Sequence, residues 1–269
     1  MTFVAASGSA PVTAPDTPTI AAPAAAPTLL RLTEVELRKT TDTRAGRWLL
    51  AVVAFAAVAL VVVTLTAAPR EDRTWGSFLT SSQAGVAVLF PVVGILAVTS
   101  EWSQRTALTT FALVPDRRRV LGAKAAAGVI LALFGVVFGL LCATLGRGVA
   151  DFTDRGAGNW SIPGPMLASV LLAAILSITL GVGFGVLFLN APLAIVTFFM
   201  VPSVLGILAG LVSAMESVNR WVNPGSALDP LYDTGISGVE WARLATTMAI
   251  WLLTPLAIGT YRVIHTEVH

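Results

Sequence analysis

Lysine is nearly missing from this sequence, with Lys39 and Lys124 its only two positions, and charged residues of every kind make up just 12% of the chain. A soluble domain carries roughly a quarter. A chain that is 55% hydrophobic therefore has too few polar groups to cover itself in water. The scarcity of lysine also excludes a nucleotide-binding P-loop, which ends in Gly-Lys-Ser/Thr; Lys39 follows Arg38 and Lys124 follows Ala123. A lone cysteine, Cys142 in an apolar run, rules out a disulfide framework or a Cys-based zinc site and reads as a packing residue. Both histidines, His265 and His269, fall in the C-terminal tail, where no second shell could support catalysis or metal binding. The 17 basic residues lie in short connecting segments and form no aromatic-interleaved patch, which argues against a nucleic-acid partner.

What remains is organised in long apolar runs. Residues 1–28 are rich in Ala, Pro and Thr with one charge, Asp16. They lack the basic start and continuous apolar stretch of a secretory signal and read as a disordered cytoplasmic tail. Residues 29–47 are expected to form an amphipathic helix at the inner interface. Glu34 and Arg38 are spaced for an i,i+4 pair, while Glu36 and Lys39 interrupt its apolar side. Apolar runs follow at about 48–68, 83–99, 121–145, 165–189, 192–213 and 243–261, each roughly the 17–25 residues of a spanning helix. Only Asn190, Ala191 and Pro192 separate the fourth run from the fifth. One very long helix is formally open there, but Asn-Pro is a turn signal and proline suits the first turn of a new helix, so two helices are expected.

The fold class is thus all-α integral membrane, with six transmembrane helices behind an interfacial helix. Eleven basic residues flank one side of these spans and six the other, so the positive-inside rule places both termini in the cytoplasm. Trp48 and Trp102 then fall at the inner edge and Trp75, Trp160, Trp221 and Trp241 near the outer one, as interfacial anchors. Trp251, inside the last span, reads as a packing or lipid-contact residue. Acidic residues Asp151, Asp154, Glu216, Asp229, Asp233 and Glu240 lie in outer loops at spacings that match no metal-binding loop and read as solvated charges. No span has an ionisable group near its midpoint, where ion-coupled transporters and pumps usually keep one. Energy for active transport would have to come from another polypeptide. An intramembrane enzyme would need paired acids or a His-Glu constellation, and none is found.

The most informative segment is the inner loop, 100–119, between the second and third spans. Leu108, Phe111 and Ala112 recur at helical spacing, Pro115 ends the turn, and Arg117, Arg118 and Arg119 lead back to the membrane as positive-inside anchors. The order Glu101, Thr106, short apolar helix, Pro115, Arg119, Lys124 resembles the first cytoplasmic loop of the membrane-spanning subunits of type-2 ABC exporters. Glu36-Leu37-Arg38-Lys39, followed by Thr43-Arg44 and Trp48, resembles that family's opening helix. The likeness covers about residues 30–264.

The resemblance implies a permease subunit in a bacterial plasma membrane, pairing with a second permease, the same or different, and with nucleotide-binding ATPase subunits. ATP and Mg would be held by those partners and no cofactor by this chain. It implies a coupling helix over 101–115, in which Glu101, Arg105, Thr106, Leu108, Phe111 and Pro115 would meet the ATPase. Since the second and fifth spans line the family's path, it nominates Phe90 and Pro91 on one and Phe198, Phe199, Met200 and Pro202 on the other, for an amphipathic or lipid-like substrate. It also implies a partly re-entrant outer segment over 214–242. The alternative is a non-transporting membrane subunit for immunity, assembly or sensing, docking a soluble partner through the same inner loop. Glycines paired at i,i+4 (Gly135 and Gly139, Gly181 and Gly185, Gly206 and Gly210) suit close helix packing within the subunit. Pro91, Pro202 and Pro255 are expected to kink their helices.

Overall fold

In a computed structural model the chain is described over residues 27–104, 106–114, 116–158, 160, 164–233 and 235–265. The expected disordered tail, up to residue 26, lies outside these residues, as do Arg105 and Pro115 of the inner loop. Every regular element among the described residues is helical. In chain order they are α1 (Leu29–Asp42), α2 (Arg44–Ala67), α3 (Trp75–Ser103), α4 (Ala107–Leu113), α5 (Arg117–Phe152), α6 (Gly164–Phe188), α7 (Ala191–Leu211), α8 (Ser213–Val222), α9 (Pro224–Leu228), α10 (Gly238–Met248) and α11 (Thr254–His265). A π-helical turn, Ala249–Leu253, joins α10 to α11 into one long helix. With it, six helices among the described residues are long and apolar enough to cross a membrane, the pattern of a multi-pass membrane protein.

Packing against protein extends two helices beyond their apolar runs. The polar stretch before residue 83 belongs to α3 because Trp75, Phe78, Leu79 and Ser82 are buried among neighbouring helices. Trp75, expected as an interfacial anchor, is 1% exposed. The 36 residues of α5, at about 1.5 Å per residue, span roughly 54 Å, longer than a hydrocarbon core near 30 Å.

The break between the fourth and fifth spans is local chemistry. Leu189 takes φ 53°, the left-handed conformation that ends helices. Asn190 then caps α7, its side-chain oxygen accepting from the Leu193 amide at 3.0 Å. In the last span the π turn precedes Pro255, which has no N–H to donate to Trp251. The extra residue is accommodated by Thr254, whose hydroxyl donates to the Ala249 carbonyl at 3.0 Å.

α3 and α6 form the centre of the bundle through direct backbone contact. A Cβ at Gly94 would collide with the Ile178 carbonyl oxygen, and one at Gly181 with that of Pro91. Gly135 lies under the Phe90 ring and Gly139 under the Gln83 amide, so the first two glycine pairs pack within the chain. The third differs: Gly210 has open space beside it and Gly206 only an ordinary contact. α2 and α7 are correspondingly the least buried spans, with 17% and 11% of an 18-residue apolar stretch buried against 61% in α3 and 67% in α6.

Candidate functional site

Two features concentrate the polar chemistry of this apolar bundle: an ion network at the end that carries α4, and a cavity among α3, α6 and α7.

The network begins on α1, where helical spacing puts Thr33, Glu36, Leu37 and Thr40 on the side turned to the bundle while Leu30 and Val35 are exposed. Glu36 and Lys39, which read as flaws in the amphipathic pattern, instead reach across to neighbouring helices, Glu36 from the packed face to α5 and Lys39 from its edge to α3. Lys39 Nζ lies 2.7 Å from Glu36 Oε1 and 2.6 Å from Glu101 Oε1. Lys124 Nζ lies 2.6 Å from Glu36 Oε2 and 3.3 Å from Glu101 Oε2, and donates to the Ala97 carbonyl at 2.9 Å. The set is neutral, two carboxylates against two ammonium groups, as burial requires; Lys124 is only 3% exposed. Burial alone would lower the Lys39 ammonium, but hydrogen bonds from its protons to Glu101 and Glu36, with their negative charge, hold it above its ordinary value.

Glu101 is the hub. Besides joining α1 and α5 to α3, it accepts from the Thr110 hydroxyl on α4 at 3.3 Å. Its carbonyl accepts from the Thr106 amide at 2.9 Å and, more weakly, from the Thr106 hydroxyl at 3.4 Å. The short helix α4 is thereby fastened to α1, α3 and α5 through a single residue. Leu108 and Phe111 belong to α4, and Thr106 immediately precedes it. At the same end Arg117 donates to the Val263 carbonyl, tying α5 to α11. The exposed pair Glu34–Arg38 forms as its spacing predicts, at 2.6 Å.

The cavity encloses about 370 Å³. Of the six residues nominated for a path, Pro91, Phe198, Phe199 and Pro202 line it. Phe90 faces the other way, packed over Gly135 of α5, and Met200 is 58% exposed outside it. Behind the wall, Phe184 meets Phe198 edge-on at 5.3 Å and stacks on Trp251 at 5.5 Å, which makes Trp251 a packing residue. The segment 214–242, largely helical in α8, α9 and α10, supplies the cavity's end: Asn223 caps α9 and reaches back to the Pro202 carbonyl at 3.0 Å. Tyr232 and Asp229 complete it. Burial, with the Asp229 charge adding to it, pushes the Tyr232 phenol up to about 12, so it is neutral under ordinary conditions.

Three of the acids expected in outer loops lie on helices, Asp151 on α5, Glu216 on α8 and Glu240 on α10, and are engaged rather than merely solvated. Asp151 pairs with buried Arg147 at 2.9 Å and accepts from Trp160 Nε1 at 2.7 Å. Arg147 also donates to the Arg73 and Gly158 carbonyls, closing the bundle at the end opposite α4. Glu216 pairs with Arg220, and Glu240 forms a capping box with Ser237.

Sequence reading singled out Glu101 but did not bring Glu36, Lys39 and Lys124 together with it into one network. The signal was present: the only two lysines of the chain both sit beside span ends, one of them three residues from a glutamate. No protein-family model matches the chain, and no curated protein matches it.

Proposed function

We propose that the chain is the permease subunit of an ATP-binding-cassette exporter in a bacterial plasma membrane, with its termini in the cytoplasm and α4 docking a separate ATPase. The observation that carries this reading is the attachment of α4. A seven-residue helix projects between two spans and is bonded through Glu101 to three others, which suits an element that receives motion from outside and passes it inward. A force on α4 reaches α1 through Lys39 and α5 through Lys124. Both helices would respond together because each buried charge loses its partner if one moves alone, at a cost of several kcal/mol. The substrate is amphipathic or lipid-like, in keeping with the apolar walls between α3 and α7. The exposed faces of α2 and α7 meet lipid or a second permease subunit, the same or different. ATP and Mg act on the ATPase, and this chain contributes no hydrolytic residue.

Affinity purification of the tagged chain from its native membrane tests the reading. A Walker-type ATPase is expected to co-purify, and replacing Thr106 and Thr110 by valine is expected to reduce its recovery. Recovery of a soluble partner without ATPase activity would contradict transport and point to an assembly, immunity or sensor role.

A further inference from the structure

At about 370 Å³ the cavity falls within the range of small-molecule sites, roughly 300–1,000 Å³, and has their usual make-up of apolar walls with a few polar groups. The walls are supplied by α3, α6 and α7, and one end by α9 and the 3-10 turn Asp229–Tyr232.

Most of its polar atoms are already engaged. The Thr80 hydroxyl donates to the Gly76 carbonyl and the Ser203 hydroxyl to the Phe199 carbonyl, each within its own helix. Asn223 donates to Pro202 and Asn219 and accepts from Gly225. Asp229 remains. Among the described residues Asp229 is the only charged one lining the cavity, and it makes no ion pair with any of them. The basic groups of the neighbouring helices are directed elsewhere: Arg220 pairs with Glu216, and Arg243 lies over the Trp221 ring at 5.9 Å.

An apolar chamber with one uncompensated carboxylate at its end discriminates by charge. Asp229 is exposed at the cavity's open end, so a cation seated there gains an opposite charge that water partly screens, while the apolar walls hold its body. The faces of Phe198, Phe199 and Tyr232 add a weaker pull on the same sign of charge. An anion of equal size meets only repulsion. We propose that this cavity binds lipophilic monocations, the apolar body against Phe198, Phe199 and Leu180 and the cationic centre at Asp229. Tyr232 keeps its proton beside that carboxylate and so adds no second negative charge. The inference deepens the permease reading and rests on it only for the ligand's role as cargo; the binding site is a property of this chain alone.

The test is equilibrium binding of radiolabelled tetraphenylphosphonium to the full chain in phosphatidylglycerol nanodiscs, with binding to empty nanodiscs subtracted. Saturable binding at one site per chain is expected. Tetraphenylborate, of the same shape and opposite charge, is expected to show none. Asp229→Asn should weaken tetraphenylphosphonium about fivefold, equivalent to about 1 kcal/mol, while Asp229→Glu stays within about twofold and Asp233→Asn leaves binding unchanged. Ala84→Phe, at an exposed lining position, should block entry without disturbing the core. Matched melting temperatures would establish that each variant is folded. Repeating the titration with phosphatidylethanolamine present separates two sources of the same chemistry. Competition identifies a lipid ammonium as the resident ligand, and its absence identifies a soluble cation. Wild-type affinity in folded Asp229→Asn, or equal binding of both ions, would overturn the proposal. No ATPase enters this assay, so its failure removes the cation site alone, whereas failure to retain an ATPase removes the permease reading alone.

Discussion

At the scale of single residues, each buried charge among the described residues, Glu36, Glu101, Lys124 and Arg147, has a partner. Lys124, 3% exposed and bonded to two carboxylates and a carbonyl, is the most constrained. Lys124→Met leaves Glu36 and Glu101 with only Lys39 between them. The variant is expected to lose about 3–5 kcal/mol of stability, read as a lower melting temperature in detergent. Lys39 differs because its side chain is 41% exposed. Its ammonium is held above the ordinary 10.5, so the stability it contributes is fully present below pH 10.5 and is lost as pH rises through the higher folded value. The difference in melting temperature between the wild type and Lys39→Gln is therefore expected to be flat from about pH 6 to 9 and to shrink only in strong alkali. Glu101 was legible from the sequence because a loop motif pointed to it. Glu36 and Lys39 were read as interruptions because helical periodicity weighs apolar residues and has no way to represent a face made of paired charges.

At the scale of elements, the apolar runs located all six long helices because lipid demands continuous hydrophobicity. Where protein replaces lipid, that signal lapses: residues 75–82 are polar enough to read as loop yet form the start of α3, since Trp75 and Phe78 are buried by neighbouring helices. The turn between α6 and α7 was legible from Asn190 and Pro192, whereas the π turn before Pro255 was not, because a single proline does not reveal how the preceding carbonyls are satisfied. The glycine pairs show the same limit, having identical spacing but different surroundings. Gly181→Ala drives a methyl group into the Pro91 carbonyl on a helix that cannot yield without moving the bundle centre. It is expected to cost at least about 2 kcal/mol and to lower the yield of folded protein on size-exclusion chromatography. Gly210→Ala enters open space and is expected to be neutral or slightly stabilising through its better helix propensity.

At the scale of the whole molecule, α3 and α6 form a tightly packed centre, while α2 and α7 keep most of their surface outward. The ion network under α4 and the cavity beside α7 are both anchored on α3, which carries Glu101 near one terminus and Pro91 in the cavity wall. In the proposed mechanism that helix is the link between a partner's motion and the path. Four of the six nominated path residues reach the cavity; Phe90 and Met200 do not, because adjacent positions on a helix point about 100° apart and a span-level assignment cannot choose a face. The measurement that bears most directly on the account is the ratio of substrate moved to ATP hydrolysed by the reconstituted complex with its ATPase, compared between wild type and Glu101→Gln. The account predicts that the ATPase remains bound and active while the ratio falls by about fivefold or more, the scale of a typical coupling free energy. An unchanged ratio in a folded, ATPase-bound Glu101→Gln complex would contradict it.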